Sequence, residues 1–191
     1  RTTDGLAFTS TPILVTNAPA DFAALSVAFG PGNTFFGKNA LNQLFLVEFD
    51  AGSGLGWVKQ AYNLTAVPTC VIAIGTDPAR QRLAALSLET PDNVRLYDIS
   101  DLNRDPGLMD QSPFETDNAN ANVGGAGSVA FGGGFLYALN CNNGVKAFQL
   151  DTSYVPPAAF RITGIEPRPS PGVAAVSWPA ASGRTYQVQS R

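Results

Sequence analysis

Ser26-Val27-Ala28-Phe29-Gly30 is a short apolar run that ends at a glycine. Such a run is typical of a buried strand that is followed at once by a turn. The chain repeats the pattern at Val71-Ile72-Ala73-Ile74-Gly75 and at Ser128-Val129-Ala130-Phe131-Gly132. Each copy is followed by a second and a third apolar run, and the third runs end at Asp50, Ser100 and Asp151. This period of about 50 residues predicts an all-β chain of repeated sheets.

The repeats occupy most of the chain, and a different segment follows them. We predict a first domain over residues 1–155 and a second segment over 156–191, because the composition changes at Tyr154-Val155-Pro156-Pro157. Two apolar runs within residues 6–16 are interpreted as strands of a preceding repeat. The repeats of the first domain are predicted over about 21–64, 67–115 and 126–155.

Composition excludes several classes of protein. The 191 residues are 45% hydrophobic and only 14% charged, and the formal net charge is −3. Lysine and arginine are scattered, which disfavours a nucleic-acid surface. No apolar run approaches the roughly 20 residues of a membrane-spanning helix. Two glycine- and asparagine-rich clusters, Gly132-Gly133-Gly134 and Asn142-Asn143-Gly144, predict hairpin turns.

The residue types that most often carry catalysis are scarce. The chain has no histidine, which excludes Ser-His-Asp and Cys-His sites and any histidine-ligated metal. No Lys-Ser or Lys-Thr pair follows Gly132-Gly133-Gly134, so this cluster is not a phosphate-binding loop. Cys70 and Cys141 leave two alternatives open. They form a disulfide in an oxidising compartment, or, as we favour, they are two buried free thiols.

Carboxylates are the remaining candidates for catalysis, since paired acidic groups can cleave glycosidic bonds. Most of them stand in turns rich in proline, asparagine and glycine, where aspartate caps nearby backbone N–H groups. We therefore interpret them as turn-capping residues. Glu48 lies within a predicted strand and is expected to face solvent. The carboxylate candidates are Asp77, Glu89, Asp92, Asp98, Asp101, Asp105 and Glu115.

Two other sets of side chains are candidates for ligand binding. Oxygen-bearing side chains in one loop are a weak calcium candidate, and they are Asp117, Asn118, Asn120 and Asn122. The loop lacks the bidentate glutamate and central glycine of an EF-hand, so a solvated loop is the favoured interpretation, and no other cofactor is expected. Aromatic side chains could stack on carbohydrate, although packing between strands is favoured. These are Trp57, Tyr62, Tyr97 and Tyr137.

The repeats resemble the blades of bacterial β-propellers, in which the first strand ends in glycine and the third ends in an acidic residue. The third strands here are Leu46-Val47-Glu48-Phe49-Asp50 and Val94-Arg95-Leu96-Tyr97-Asp98. The resemblance covers about residues 20–151 and implies three propeller-like blades. A closed propeller needs at least about four blades. The chain is therefore expected to form a partial propeller, which closes with further polypeptide or another copy, or stays an open β-array.

The tail resembles the fibronectin type III-like modules at the ends of many secreted bacterial proteins. The matching residues are Ile162-Thr163-Gly164-Ile165, then Trp178-Pro179, then Gly183-Arg184-Thr185-Tyr186-Gln187-Val188-Gln189. The resemblance implies that the start of a β-sandwich follows the blades. It also implies an extracellular, cell-surface or periplasmic location, and it carries no catalytic residues.

Together these features predict a noncatalytic, secreted β-repeat module for protein binding, scaffolding or assembly. A protein partner or self-assembly is expected, carbohydrate is a further candidate ligand, and neither nucleic acid nor a membrane span is expected. The alternative is a fragment of a propeller hydrolase, lactonase-like or glycan-cleaving, whose active residues lie outside this chain. Carboxylates that point from the inner strands into a central channel would favour this alternative.

Overall fold

A computed structural model describes the protein as an all-β chain that divides into two units, Arg1–Leu150 and Asp151–Arg191. The described residues are 12–19, 21–23, 25–41, 43–114, 122 and 124–150, together with the backbone of 164–167 and 174–177. These residues form strands, turns and loops, and none of them is helical. Accordingly, this part of the chain contains no helix long and apolar enough to cross a membrane.

The first sheet has five strands in the order β1-β5-β4-β3-β2. Its strands are β1 (Leu14–Val15), β2 (Ser26–Phe29), β3 (Thr34–Lys38), β4 (Leu44–Asp50) and β5 (Leu55–Ala61). Strands β2 to β5 form an antiparallel meander, whereas β1 pairs with β5 in parallel. The interpretation of Leu14 and Val15 as part of a preceding repeat was therefore wrong, because they extend the edge of the first sheet instead.

The second sheet is a four-stranded antiparallel meander in the order β6-β7-β8-β9. Its strands are β6 (Val71–Asp77), β7 (Arg82–Ser87), β8 (Asn93–Asp98) and β9 (Gly107–Pro113). Strand β9 was not predicted. Its sequence, Gly107-Leu108-Met109-Asp110-Gln111-Ser112-Pro113, is mostly polar and exposed, as is usual for the outer strand of a sheet.

The third sheet has three strands in the described part of the chain, in the order β10-β11-β12. They are β10 (Gly127–Gly132), β11 (Phe135–Asn140) and β12 (Gly144–Gln149). Both predicted hairpin turns are confirmed. Gly133 and Gly134 have φ angles of 60° and 82°, and Asn142 and Gly144 have φ angles of 70° and 87°, all in the left-handed region that glycine and asparagine tolerate.

The second unit contains one described hairpin, in which β13 (Gly164–Pro167) pairs with β14 (Ala174–Ser177) in antiparallel fashion. The predicted sandwich strand around Gly183–Gln189 and the motif Trp178-Pro179 lie outside the described residues. The resemblance to a fibronectin type III-like module therefore stays a prediction.

The sheets of the first unit are stacked face to face, and their innermost strands β2, β6 and β10 lie side by side. Ile74 of β6 donates its N–H to Ser26 Oγ of β2 at 3.1 Å. One apolar core fills the space between the first and second sheets and includes Phe36, Leu46, Tyr62, Leu83 and Tyr97. A second core lies between the second and third sheets and includes Ala84, Leu86, Val129, Leu136 and Ala138. Successive meanders stacked around their first strands confirm the predicted partial propeller-like fold.

Residues of the N-terminal segment cover part of the outer face of the first sheet. The ring of Phe22 packs at 6.1 Å from the ring of Phe35. A Cβ on Gly37 would meet the carbonyl oxygen of Phe22 at 3.0 Å. Farther along the sheet, Ile13 packs directly over Gly56, where a Cβ would lie 3.1 Å from Ile13 Cγ2. Both glycines therefore make room for this N-terminal cover.

The packing of the inner strands can be tested at Gly75, where a substitution by alanine adds a single methyl group. A Cβ at Gly75 would lie 2.8 Å from the carbonyl oxygen of Val129 on β10, which is too close for any real contact. We expect Gly75→Ala to force β6 and β10 apart and to lower the free energy of unfolding by about 1–3 kcal/mol. Chemical denaturation measures this change. The control is Gly132→Ala, where a Cβ meets nothing within 4 Å, and equal losses in the two variants would contradict the account.

Candidate interaction site

The central strand of the third sheet turns one side toward the protein and the other toward solvent. Leu136, Ala138 and Asn140 are buried, whereas Tyr137 and Leu139 are 42% and 45% exposed. Because side chains alternate between the two faces of a strand, the buried set faces the second sheet. The exposed set belongs to the opposite face.

The register of the strands extends the exposed set across the whole sheet. Leu139 lies opposite Ser128 on β10 and Val145 on β12, and Val145 is 66% exposed. Tyr137 lies opposite Ala130 and Ala147, which are also exposed. We call this surface the open face. It consists of Ser128, Ala130, Gly132, Phe135, Tyr137, Leu139, Val145, Ala147 and Gln149, and none of these nine residues is charged.

The open face has a distinct relief. Its largest side chains stand on β11, where the rings of Phe135 and Tyr137 lie 6.0 Å apart and Leu139 continues the row. The neighbouring positions on β10 are Ser128, Ala130 and Gly132, which are all small. A ridge of large apolar side chains therefore runs beside a low row. A contiguous exposed surface of this kind is typical of a site of interaction.

A second apolar surface, the inner groove, lies along the inner strands and has a volume of about 310 Å³. Val27 and Phe29 of β2, which border it, are 50% and 69% exposed. Thr76 of β6 donates its hydroxyl to the carbonyl oxygen of Phe29. The groove is lined by Val27, Ala28, Phe29, Ile74, Gly75, Thr76, Pro78, Val129, Ala130 and Phe131. No carboxylate is among these residues, and Ala130 belongs to both the inner groove and the open face.

Buried polar contacts join the second sheet to the third. Asn140 is fully buried, and its amide nitrogen donates to Asp92 Oδ2 at 2.7 Å. The amide nitrogen of Asn122 donates to Asn140 Oδ1 at 2.6 Å and to the carbonyl oxygen of Ala126 at 2.7 Å. This chain of hydrogen bonds holds the start of β10 and the end of β11 against the second sheet. Hydrogen bonds in such a buried setting are costly to break.

Different polar groups lie between the first and second sheets. The hydroxyl of Tyr62 donates to the carbonyl oxygen of Leu102 at 2.9 Å. Burial raises the pKa of Tyr62, and the carboxylates of Asp105 and Asp101 raise it further, so the hydroxyl stays protonated and can donate. The side chain of Lys38 is buried as well. Burial lowers its pKa, an effect that the nearby Cys70 partly offsets.

Three of the seven candidate carboxylates cap local turns, as predicted. Asp77, Asp98 and Asp101 accept backbone N–H groups in turns, and each also pairs with an arginine. Asp105 does not cap a local turn, because it accepts both the backbone N–H and the side-chain amide of Asn63, which is distant in the sequence. Glu48 pairs with Lys59 at the surface.

Two further candidates do not fit the turn-capping interpretation. Asp92 is buried and belongs to the hydrogen-bond chain with Asn140. Glu89 pairs with Arg95 and accepts the side-chain amide of Asn93 at 2.7 Å. The last candidate, Glu115, lies outside the described residues.

The calcium candidates divide between described and undescribed parts of the chain. Asp117, Asn118 and Asn120 lie outside the described residues. Asn122 is buried, and its Oδ1 accepts the N–H of Ala126 at 3.1 Å, so its side chain has a structural role. Within the described ranges, no group of three or more acidic or cysteine side chains is arranged to hold a metal ion. Calcium binding by residues 117–122 stays a prediction.

The aromatic candidates for carbohydrate stacking do not form one surface. Tyr62 and Tyr97 are buried in the core between the first and second sheets, so their prediction as packing residues is confirmed. Trp57 and Tyr137 are exposed but stand on different sheets.

Both cysteines are free thiols. The interpretation of two buried thiols was wrong in one respect, because Cys70 is half-buried and Cys141 is exposed. The Sγ of Cys70 lies 3.1 Å from Ser87 Oγ.

The chain is similar to known proteins in fold alone. No protein-family model matches the chain, and no curated protein sequence matches it either. Among solved structures, the WD40 β-propeller domain of Doa1 matches with a TM-score of 0.45 and 12% identity, over 74% of this chain and 42% of that one. Hydrazine synthase of Kuenenia stuttgartiensis matches with a TM-score of 0.38 and 15% identity, over 69% and 32%. The chain thus spans less than half the length of either structure.

Asn140 is the position that tests the polar contact between the second and third sheets. We expect Asn140→Ala to lower the free energy of unfolding by about 1–3 kcal/mol, because the buried Asp92 loses this hydrogen-bond donor. Thermal or chemical denaturation measures the loss. Asn103→Ala is the control, since Asn103 is exposed in a turn and its truncation should change stability by less than about 0.5 kcal/mol. An Asn140→Ala variant whose free energy of unfolding is unchanged would contradict a structural role for this contact.

Proposed function

We propose that the protein is a noncatalytic protein-interaction module and that the open face is its contact surface. The observation that carries the proposal is that the open face is contiguous, uncharged and exposed. The open face of the third sheet presents Tyr137, Leu139 and Val145 to solvent.

The chemistry of the open face supports a protein partner. Burial of apolar surface contributes about 25 cal/mol for each Å² removed from water. Tyrosine adds a rigid, amphipathic side chain of the type enriched at protein interfaces. A sheet face of this kind is suited to pack against another sheet at a spacing of about 10 Å.

The inner groove adjoins this surface through Ala130 and extends the apolar area toward Phe29. A partner that covers the open face would therefore also reach the rim of the groove. The described carboxylates support a noncatalytic role, because Asp77, Asp98 and Asp101 are engaged in turns and ion pairs.

The proposal includes a location outside the cytoplasm, on the cell surface, in the periplasm or in the extracellular medium. It rests on the resemblance of the tail to fibronectin type III-like modules of secreted proteins. The residues that carry this resemblance are Trp178-Pro179 and Gly183–Gln189. Fractionation of the source cells with an antibody against the protein tests the location.

A photo-crosslinker at the centre of the open face tests the contact surface. Benzoylphenylalanine replaces Tyr137, which keeps an aromatic side chain at the site. The matched control carries the same crosslinker in place of Leu64, which is 57% exposed but lies on the loop after β5. After irradiation in the source cells, we expect the chain with the crosslinker at position 137 to form a defined adduct that the control does not form. Mass spectrometry then identifies the attached protein.

Two results would count against the proposal. Position 137 could give no adduct, or both positions could give the same set of adducts. The first result means that the open face remains in water in the cell. The second means that any contact is not specific to this face.

A further inference from the structure

The hairpin turn between β11 and β12 carries a pair of residues whose chemistry the proposed function does not use. Asn143 is followed directly by Gly144, and this is the only Asn-Gly pair in the 191 residues. We propose that Asn143 is a site of spontaneous deamidation, at which an uncharged amide becomes a carboxylate and part of the product carries an isoaspartyl linkage. This inference goes beyond the proposed function and does not depend on it.

The reaction needs only water and the atoms of these two residues, and asparagine is among the chemically labile residue types. The backbone nitrogen of Gly144 attacks Cγ of Asn143, so that a new C–N bond forms and the Cγ–Nδ2 bond breaks. The Nδ2 group leaves as ammonia together with the proton of the Gly144 N–H. One water molecule then opens the resulting succinimide ring. Opening at one carbonyl gives aspartate, and opening at the other gives isoaspartate, in which the backbone continues through the side chain.

The structure leaves this turn open to the reaction. Gly144 has a φ angle of 87°, and a Cβ built on it would meet nothing within 4 Å. Asn142 and Gly144 are exposed, and Asn143 is half-buried. Because glycine has no side chain, no group on Gly144 obstructs the approach of its nitrogen to Cγ of Asn143. Water also reaches the peptide bond between the two residues, as the second step requires.

Other asparagines in the described part of the chain are less suited to the reaction. Asn63 and Asn93 each donate the side-chain amide to a carboxylate and precede a bulky residue. Asn140 is fully buried, and its amide is also bound to a carboxylate. Asn103 lies in an exposed turn, but an arginine follows it. It therefore offers an internal comparison for Asn143, with similar exposure and a bulky neighbour.

Isoaspartate at position 143 changes the geometry of the hairpin. The N–H of Asn143 donates to the carbonyl oxygen of Asn140 at 3.0 Å, and Gly144 lies opposite Asn140 in the register. An isoaspartyl linkage inserts one further carbon atom into the backbone just before Gly144, so the turn and the first pair of β12 must shift. The new carboxylate also stands two residues before Val145 of the open face. Deamidation therefore weakens the hairpin and brings charge to the end of an uncharged surface.

Peptide mapping by mass spectrometry tests the inference on the purified full chain, incubated for several weeks at physiological pH and temperature with a reductant that protects the two free thiols. We expect Asn143 to deamidate at least about tenfold faster than Asn103, because glycine does not obstruct ring closure as a bulky residue does. An isoaspartyl methyltransferase should label the aged chain at position 143. Asn143→Gln is the matched variant, since it keeps an amide in the turn but does not readily close a five-membered ring, and it should remain unlabelled there.

A parallel incubation in denaturant separates the effect of the folded turn from that of the sequence. The native chain should deamidate at position 143 at a rate within about tenfold of the unfolded chain, because an exposed turn reacts without prior opening of the sheet. A native chain that stays intact at Asn143 while the unfolded chain is modified would overturn the inference, since the hairpin would then protect the site. Equal rates at Asn143 and Asn103 in the native chain would overturn it as well.

Denaturation of the separated products tests the effect on the hairpin. The isoaspartyl form should have a folded-to-unfolded ratio at least about fivefold below that of the fresh chain, because its backbone no longer fits the turn. Asn143→Asp carries the new charge without the additional backbone atom, and its ratio should lie within about twofold of the fresh chain, as for most surface substitutions. An isoaspartyl form that unfolds like the fresh chain would overturn the claimed effect on the hairpin.

Discussion

The close approach of the three inner strands is the constraint on which the rest of the structure depends. At Gly75 the backbone of β6 comes so near the carbonyl oxygen of Val129 on β10 that no side chain fits between them. On the other side of β6, the hydroxyl of Ser26 accepts the N–H of Ile74. Because the first strands of the sheets are held at these short distances, the sheets must stack face to face and bury the apolar sides of their later strands.

This stacking explains why one face is open. Among the described residues, the first and the third sheet each have one face that no neighbouring sheet covers. Phe22 covers part of this face in the first sheet, whereas Tyr137 and Leu139 stay exposed in the third. Successive side chains of a strand point to opposite faces of the sheet. If Leu136 and Ala138 face the core, Tyr137 and Leu139 cannot.

Specific polar contacts add to the apolar cores at each junction between sheets. Asn140 and Asp92 are the clearest pair, since both are buried and their side chains are hydrogen-bonded. Such contacts are directional, and they fix one relative placement of two faces that apolar packing alone would leave freer. The placement of the third sheet, and so the direction of its open face, depends on them.

The sequence was most informative where local chemistry decides the structure. Glycine-terminated apolar runs located β2, β6 and β10, and the pair Asn142 and Gly144 located a hairpin, because positive φ angles demand these residue types. Strand β9 could not be predicted, since its polar sequence becomes a strand only when β8 offers it a hydrogen-bonding edge. The parallel pairing of β1 with β5 is likewise a tertiary contact that leaves no local signal.

The candidate site was missed for a related reason. Phe135-Leu136-Tyr137-Ala138-Leu139 is a continuous apolar run, which predicts a strand buried on both faces. Nothing in the run distinguishes the face that meets the second sheet from the face that stays exposed. Asn122 shows the converse. Its place in an oxygen-rich loop indicated a calcium ligand, but its bond to Asn140 depends on residues far away in the sequence.

The accessibility of alternate positions along β11 tests the central claim most directly. In a background with Cys70→Ser and Cys141→Ser, single cysteines are introduced by Leu136→Cys and Leu139→Cys, and their reaction with a thiol reagent is followed in dilute native protein. The account predicts that the thiol at position 139 reacts at least about 100-fold faster, because position 136 becomes accessible only when the stack opens. Equal rates, or a faster reaction at position 136, would contradict it.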